Sequence, residues 1–85
     1  MPEICKFYGI RITMYHRDHL PPHFHAEHGE YECEWDIQKN RMLKGKMPKK
    51  EQRRLYQFCK QRKEELLLNW ELVCKQEEPN DILPI

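Results

Sequence analysis

The chain lacks any long apolar run. Among its 85 residues Leu66-Leu67-Leu68 is as long as any, whereas a membrane-spanning helix needs roughly twenty consecutive apolar residues. No transmembrane helix is therefore expected. Glycine is scarce, with three residues, and none stands in a Walker loop, a dinucleotide-binding fingerprint or a nucleophile elbow. The start Met1-Pro2-Glu3 lacks the basic region and apolar stretch of a secretory signal. A cytoplasmic, reducing setting is expected, with Cys5, Cys33, Cys59 and Cys74 as free thiols rather than a disulfide framework, and their spacing is not that of a zinc knuckle.

Acid is nearly missing from one block. Residues 39–63 hold eleven Lys and Arg (Lys39, Arg41, Lys44, Lys46, Lys49, Lys50, Arg53, Arg54, Lys60, Arg62, Lys63) against Glu51 alone, so the block carries +10. With a net charge of +1, the rest of the chain carries −9, and residues 27–36 supply five acids and no base. This polarity excludes a neutral surface and suits phosphate backbones or acidic partners, although helices also carry solvated Lys and Arg for no further purpose.

With 34% charged and 39% hydrophobic residues, the composition fits one small domain spanning residues 1–85: a sheet half over 1–47, a helical half over 48–78 and a tail over 79–85. In residues 9–17, Ile10, Ile12, Met14 and His16 alternate with Arg11, Thr13, Tyr15 and Arg17, the pattern of a half-buried strand. Asp18-His19-Leu20-Pro21-Pro22 reads as a turn, since neither proline donates to a ladder. Alternation resumes from His23 to His28, and Gly29-Glu30 suits a two-residue hairpin loop. In residues 31–37, Tyr31, Cys33, Trp35 and Ile37 share one face and acids the other. A three-residue loop closed by Asn40 would set Leu43 opposite Trp35, Gly45 opposite Cys33, Lys44 opposite Glu34 and Lys46 opposite Glu32, each opposite-charge pair favouring this register by roughly 0.2–1 kcal/mol.

After Pro48 no glycine or proline occurs until Pro79. Leu55, Phe58, Cys59, Leu66, Trp70 and Val73 fall on one helical face, and a bend or break is expected near residues 61–64 because nearly thirty residues exceed the usual helix length. The expectation is α+β: a four-stranded antiparallel sheet, a β-meander, covered on one face by one long bent helix or two C-terminal helices. Ile82-Leu83-Pro84-Ile85 is an apolar tail that either docks on the body or serves a partner.

The strongest local anomaly is five histidines in thirteen positions: His16, His19, His23, His25 and His28. Matching apolar faces sets His16 opposite Phe24 and Met14 opposite Ala26, which places Arg17 opposite His23, Tyr15 opposite His25 and Thr13 opposite Glu27. The next hairpin sets His25 opposite Glu34 and His23 opposite Asp36. One open sheet face would then carry Arg17, Tyr15, His23, His25, Glu34, Asp36, Lys44 and Lys46. A carboxylate beside an imidazole fixes its tautomer and raises its basicity, which serves a general base or a metal ligand equally. Three readings stand side by side. His23, His25, Arg17, Tyr15 and Asp18 can act as a metal-independent, endoribonuclease-like catalytic set. His19, His23 and His25 can instead hold zinc or another transition metal, a cofactor the first reading does not require. The bland alternative is a solvated polar face or a non-catalytic protein-interaction module. His16 and His28 fall on the inward face and are left out of the site, and Cys33 and Cys59 read as small buried thiols. The basic residues Lys49, Lys50, Arg53 and Arg54 are candidates for binding an acidic partner.

The run Phe7-Tyr8-Gly9-Ile10, then Met14-Tyr15, then Asp18-His19-Leu20-Pro21-Pro22-His23-Phe24-His25-Ala26 and Gly29, resembles the bacterial family called domain of unknown function 4160. Gly45 before Met47-Pro48 and the helical Glu65-Leu66-Leu67-Leu68-Asn69-Trp70 carry the resemblance across nearly the whole chain. Asp18, His19, Pro21, Pro22, His23, His25 and Gly29 match its motif; His28 stands where the family usually has tyrosine, Cys33 where it has a small residue and Asn40 at a glycine position. The resemblance implies a small product of a two-gene, toxin-antitoxin-like stress or defence module, acting by RNA or protein contact, with a protein of the family called domain of unknown function 2442 as cognate partner. RNA, that protein or a second copy of the chain are the expected partners, and a membrane is not.

Overall fold

The computed structural model describes residues 3–15 and 19–85. Five strands form one antiparallel sheet in chain order: β1 (Glu3–Phe7), β2 (Ile10–Thr13), β3 (His23–His28), β4 (Tyr31–Asp36) and β5 (Arg41–Lys46). One helix, α1 (Lys49–Cys74), follows. The α+β meander stands as expected, with one strand more than the four anticipated. The additional strand is β1, whose alternation is broken by a register shift between Glu3 and Cys5 that buries Ile4 and Cys5 in succession. A bulge of this kind erases the period-two signal that marks a strand.

The β3–β4 hairpin has the expected register, with His23 opposite Asp36 and His25 opposite Glu34, and Gly29 at φ +59° in its turn. On the other side of β4, Lys44 faces Glu34, Gly45 faces Cys33 and Lys46 faces Glu32, again as expected. Met42, not Leu43, faces Trp35: the loop is one residue longer than anticipated, Asp36 pairs with Arg41, and the extra residue is absorbed as a bulge at Leu43. Asn40 takes φ +53° there, accepts from Trp35 Nε1 at 2.8 Å and donates to the Tyr56 carbonyl at 3.1 Å, which fixes the loop to the helix.

The β2–β3 register is offset by two residues from the expected one. Ile12, rather than Met14, faces Ala26; Thr13, rather than Tyr15, faces His25; Arg11, rather than Thr13, faces Glu27. An offset of two preserves every inside and outside assignment, so the apolar pattern does not oppose it. The observed register lets Arg11 reach Glu3 and Glu27, each at 2.8 Å. The predicted pairings of His16 with Phe24 and Arg17 with His23 lie outside the described residues.

All six helix positions expected to be apolar and inward are buried, together with Glu51 and Asn69. Phe58 packs against Phe7 and Phe24, with ring centroids 5.0 and 5.9 Å apart, tying the helix to β1 and β3. The helix is continuous but bent: Arg62 leaves helical geometry at φ −114°, ψ 18°, within the expected span. After Lys75 the chain reverses at Gln76 (φ +62°), with Glu77 N–H donating to the Leu72 carbonyl at 2.8 Å. The tail docks on the body. Asn69 and Asn80 exchange two hydrogen bonds of 2.9 Å, Ile82 N–H donates to the Ile4 carbonyl at 2.8 Å, and Arg62 donates to the carbonyls of Leu83 and Pro84. No helix is long and apolar enough to cross a membrane among the described residues.

Candidate metal centre and the cleft beside it

The histidine strand does not lie on a wholly open face. His23 is 1% exposed and Asp36 3%, a correction to the solvated row expected for both. The ring of His23 lies 5.1 Å from that of Trp70 on α1 and 4.6 Å, nearly parallel, from that of His19. Asp36 accepts the Lys39 N–H at 2.9 Å and so closes the turn after β4. Such burial of polar side chains is sustained only where they have partners.

His23 Nδ1 lies 2.8 Å from the Pro21 carbonyl, and His19 Nδ1 lies 3.2 Å from the Leu20 carbonyl. A carbonyl only accepts, so in both contacts Nδ1 carries the proton, and Nε2 is the atom through which each ring could ligate a cation. Both Nε2 atoms face one carboxylate oxygen: Glu34 Oε1 is 3.4 Å from His19 Nε2 and 3.8 Å from His23 Nε2. That oxygen is itself buried and makes no hydrogen bond to any described residue. The ligand atoms of His19, His23 and Glu34 all lie within 4.8 Å of one another. Two imidazoles and a carboxylate with ligand atoms this close form a candidate place for a cation. Two ligands at bonds of about 2.0–2.1 Å in a tetrahedral shell stand about 3.4 Å apart, the separation found between His19 and Glu34.

His25 stands next to this group, its ring 5.2 Å from that of His23 and 4.3 Å, edge to face, from that of Tyr15. Tyr15, His25, Glu32, Glu34, Lys44 and Gly45 line a cleft of about 360 Å³. Glu34 thus belongs to both the cleft and the histidine cluster. Of the expected catalytic set, His23, His25 and Tyr15 come together, and Arg17 and Asp18 lie outside the described residues. Of the expected metal set, His19 and His23 converge with Glu34, and His25 flanks them. Sequence reasoning placed Glu34 opposite His25 but not as a ligand. The missed signal is the diagonal across an antiparallel pair: Asp36 is the direct partner of His23, and Glu34, two residues earlier on β4, is still within reach of a long side chain.

Gly45 keeps the cleft's far wall in place. It has φ +97°, and a Cβ there would sit 2.4 Å from the Glu32 carbonyl oxygen. The thiols take no part in the centre. Burial pushes Cys33 and Cys59 up to about 11, and Cys5 is also raised by burial. His28 faces the helix side at the sheet rim, with Nδ1 3.1 Å from the Gly9 carbonyl and Nε2 3.7 Å from Glu51. Lys49, Lys50 and Arg53 are exposed, whereas Arg54 lies 3.6 Å over the ring of Tyr8.

No curated protein and no solved structure matches the chain. A family model does, over residues 9–71, a span that holds β2 to β5, most of α1 and every residue of the histidine cluster and its cleft. The chain therefore belongs to the family described as Domain of unknown function (DUF4160).

Proposed function

We propose that this protein is a transition-metal-binding domain whose ion is held by His19 Nε2, His23 Nε2 and Glu34 Oε1. The observation that carries the reading is the convergence of His19 Nε2 and His23 Nε2 on a buried carboxylate oxygen that makes no hydrogen bond to the described residues. The carbonyls of Leu20 and Pro21 act as the outer partners that fix ring tautomer in metal sites. Two histidines and one carboxylate suit zinc or ferrous iron, and three protein ligands leave a position open for water or substrate. The adjoining cleft, with Tyr15, His25 and Lys44 on its walls, is where such a substrate would lie.

The test is metal analysis of protein purified without a histidine tag and dialysed after exposure to zinc or cobalt. About one ion per chain is expected, with less than a tenth of that in Glu34→Gln, which keeps the side-chain shape. Equal metal content in wild type and Glu34→Gln would overturn the reading. A second reading, metal-independent RNA cleavage within a toxin-antitoxin-like module, is favoured by the contact between Tyr15 and His25 beside the cleft. It requires cleavage that survives chelation and is lost in His25→Ala.

A further inference from the structure

The +10 block does not offer its charge evenly. Lys44 and Lys46 stand opposite Glu34 and Glu32 in the ladder. Arg54 is stacked on Tyr8, and Arg62 donates to two tail carbonyls. The block's only acid, Glu51, is 8% exposed and turned toward His28. Apart from Lys50 and the cations before the helix, what remains is a line along α1: Lys49, Arg53, Tyr56, Lys60 and Lys63, spaced by four, three, four and three residues and all exposed. That spacing keeps Lys49, Arg53, Tyr56 and Lys60 on one helical face, with Lys63 just past the bend at Arg62. The loop between β4 and β5 and the start of β5 add Lys39 and Arg41 beside it, because Asn40 donates to the Tyr56 carbonyl and Lys63 Nζ to the Gln38 carbonyl at 3.3 Å. Between this loop and the first turns of the helix lies a groove of about 400 Å³, with Trp35 and Met42 in its floor and Arg41, Lys49, Arg53 and Tyr56 around it.

We propose that this line binds single-stranded nucleic acid, with the cations on successive phosphates and a base resting against Tyr56 in the groove. Lys49 and Arg53 are separated by about 6 Å of helical rise and Arg53 and Lys60, on either side of Tyr56, by about 10 Å, short enough for the cations to follow one strand. An exposed aromatic ring among cations is the combination that holds single strands without regard to sequence. An acidic peptide would meet the same charge but offers no flat face to Tyr56. The site is separate from the metal centre and does not depend on it.

The experiment is fluorescence anisotropy of a labelled twelve-nucleotide single strand, in excess chelator so that the metal centre does not enter. Binding is expected to fall with salt, and Lys49→Gln/Arg53→Gln/Lys60→Gln should weaken it at least tenfold and reduce the slope of log affinity against log salt by about 2. Tyr56→Ala should weaken it about tenfold through lost stacking. The triple variant Lys6→Gln/Lys46→Gln/Lys75→Gln removes the same charge from exposed positions outside this line and should leave most of the affinity. Equal loss in the two triple variants, an unchanged affinity in Tyr56→Ala, or displacement of the strand by polyglutamate as readily as by unlabelled strand would each overturn the proposal. Circular dichroism of every variant confirms that the helix is intact.

Discussion

Nδ1–H of His23 donates a hydrogen bond to the carbonyl of Pro21, 2.8 Å away and two residues back in the chain. The bond fixes the ring, and with it the direction of Nε2, before any ion is present. A ligand held in this way loses little freedom on binding, which is the usual contribution of a second partner to a metal site. His19, with 57% of its side chain exposed, has no such enclosure, so Glu34 and His23 form the buried part of the centre and His19 its exposed part.

Metal should therefore stabilise the fold. At a free ion concentration a hundred times the dissociation constant, the gain is about 2.7 kcal/mol, which in a domain of this size corresponds to a rise in Tm of roughly 10–20 °C. Calorimetry with and without zinc should show this rise in the wild type and none in Glu34→Gln. His19→Ala should bind more weakly yet keep the metal-free Tm within about 2 °C, because its ring is largely exposed.

Thiol chemistry gives a pH-dependent test. The folded state holds Cys33 and Cys59 at about 11, against an ordinary value of 9.0. The folded protein binds these protons more tightly than the unfolded chain does. Their contribution is complete below pH 9.0 and is lost as pH rises towards about 11, so stability to urea should decline across that window. At pH 8, iodoacetamide should modify the exposed Cys74 at least tenfold faster than Cys5, Cys33 or Cys59, and peptide mapping would read the order directly. Comparable rates at all four sites would contradict the burial described.

Phe58→Ala should be among the most damaging single changes. The side chain is fully buried and touches Phe7 and Phe24, and truncation of such a residue costs about 3–5 kcal/mol. Total stability for a chain this long is roughly 4–13 kcal/mol, so the urea midpoint should fall by a large fraction. Leu83→Ala, at a position 75% exposed, should shift it by less than about 0.5 kcal/mol.

Asn69→Ala removes both partners of Asn80 and should cost about 1–3 kcal/mol. Its signature is local. Hydrogen exchange at the Ile82 amide, which donates to Ile4, should accelerate far more than exchange in the middle of β3.

The faces of the sheet and the buried stripe of the helix were legible from period alone, because alternation and the 3.6-residue repeat both report burial. Registers were legible only where chemistry broke the symmetry. Lys44 and Lys46 against Glu34 and Glu32 fixed the β4–β5 pairing over most of its length, but nothing in Ile10, Ile12 and Met14 distinguishes two offsets of equal parity. Asn69 escaped notice because a polar residue on an apolar stripe gives no hint of the tail that satisfies it. The cluster was visible as histidines, and its completion by Glu34 was not, since a diagonal contact depends on how far each side chain leans along its strand.

Arg62 interrupts the helix and, with the same side chain, grips the carbonyls of Leu83 and Pro84. The bend is therefore a joint as well as an interruption. Tension applied to the tail arrives at the turn of α1 that already departs from helical geometry, while Lys49 to Lys60, on the near side of the bend, keep their alignment. Movement of the last residues would therefore be felt first between Lys60 and Lys63, at the far end of the cationic line.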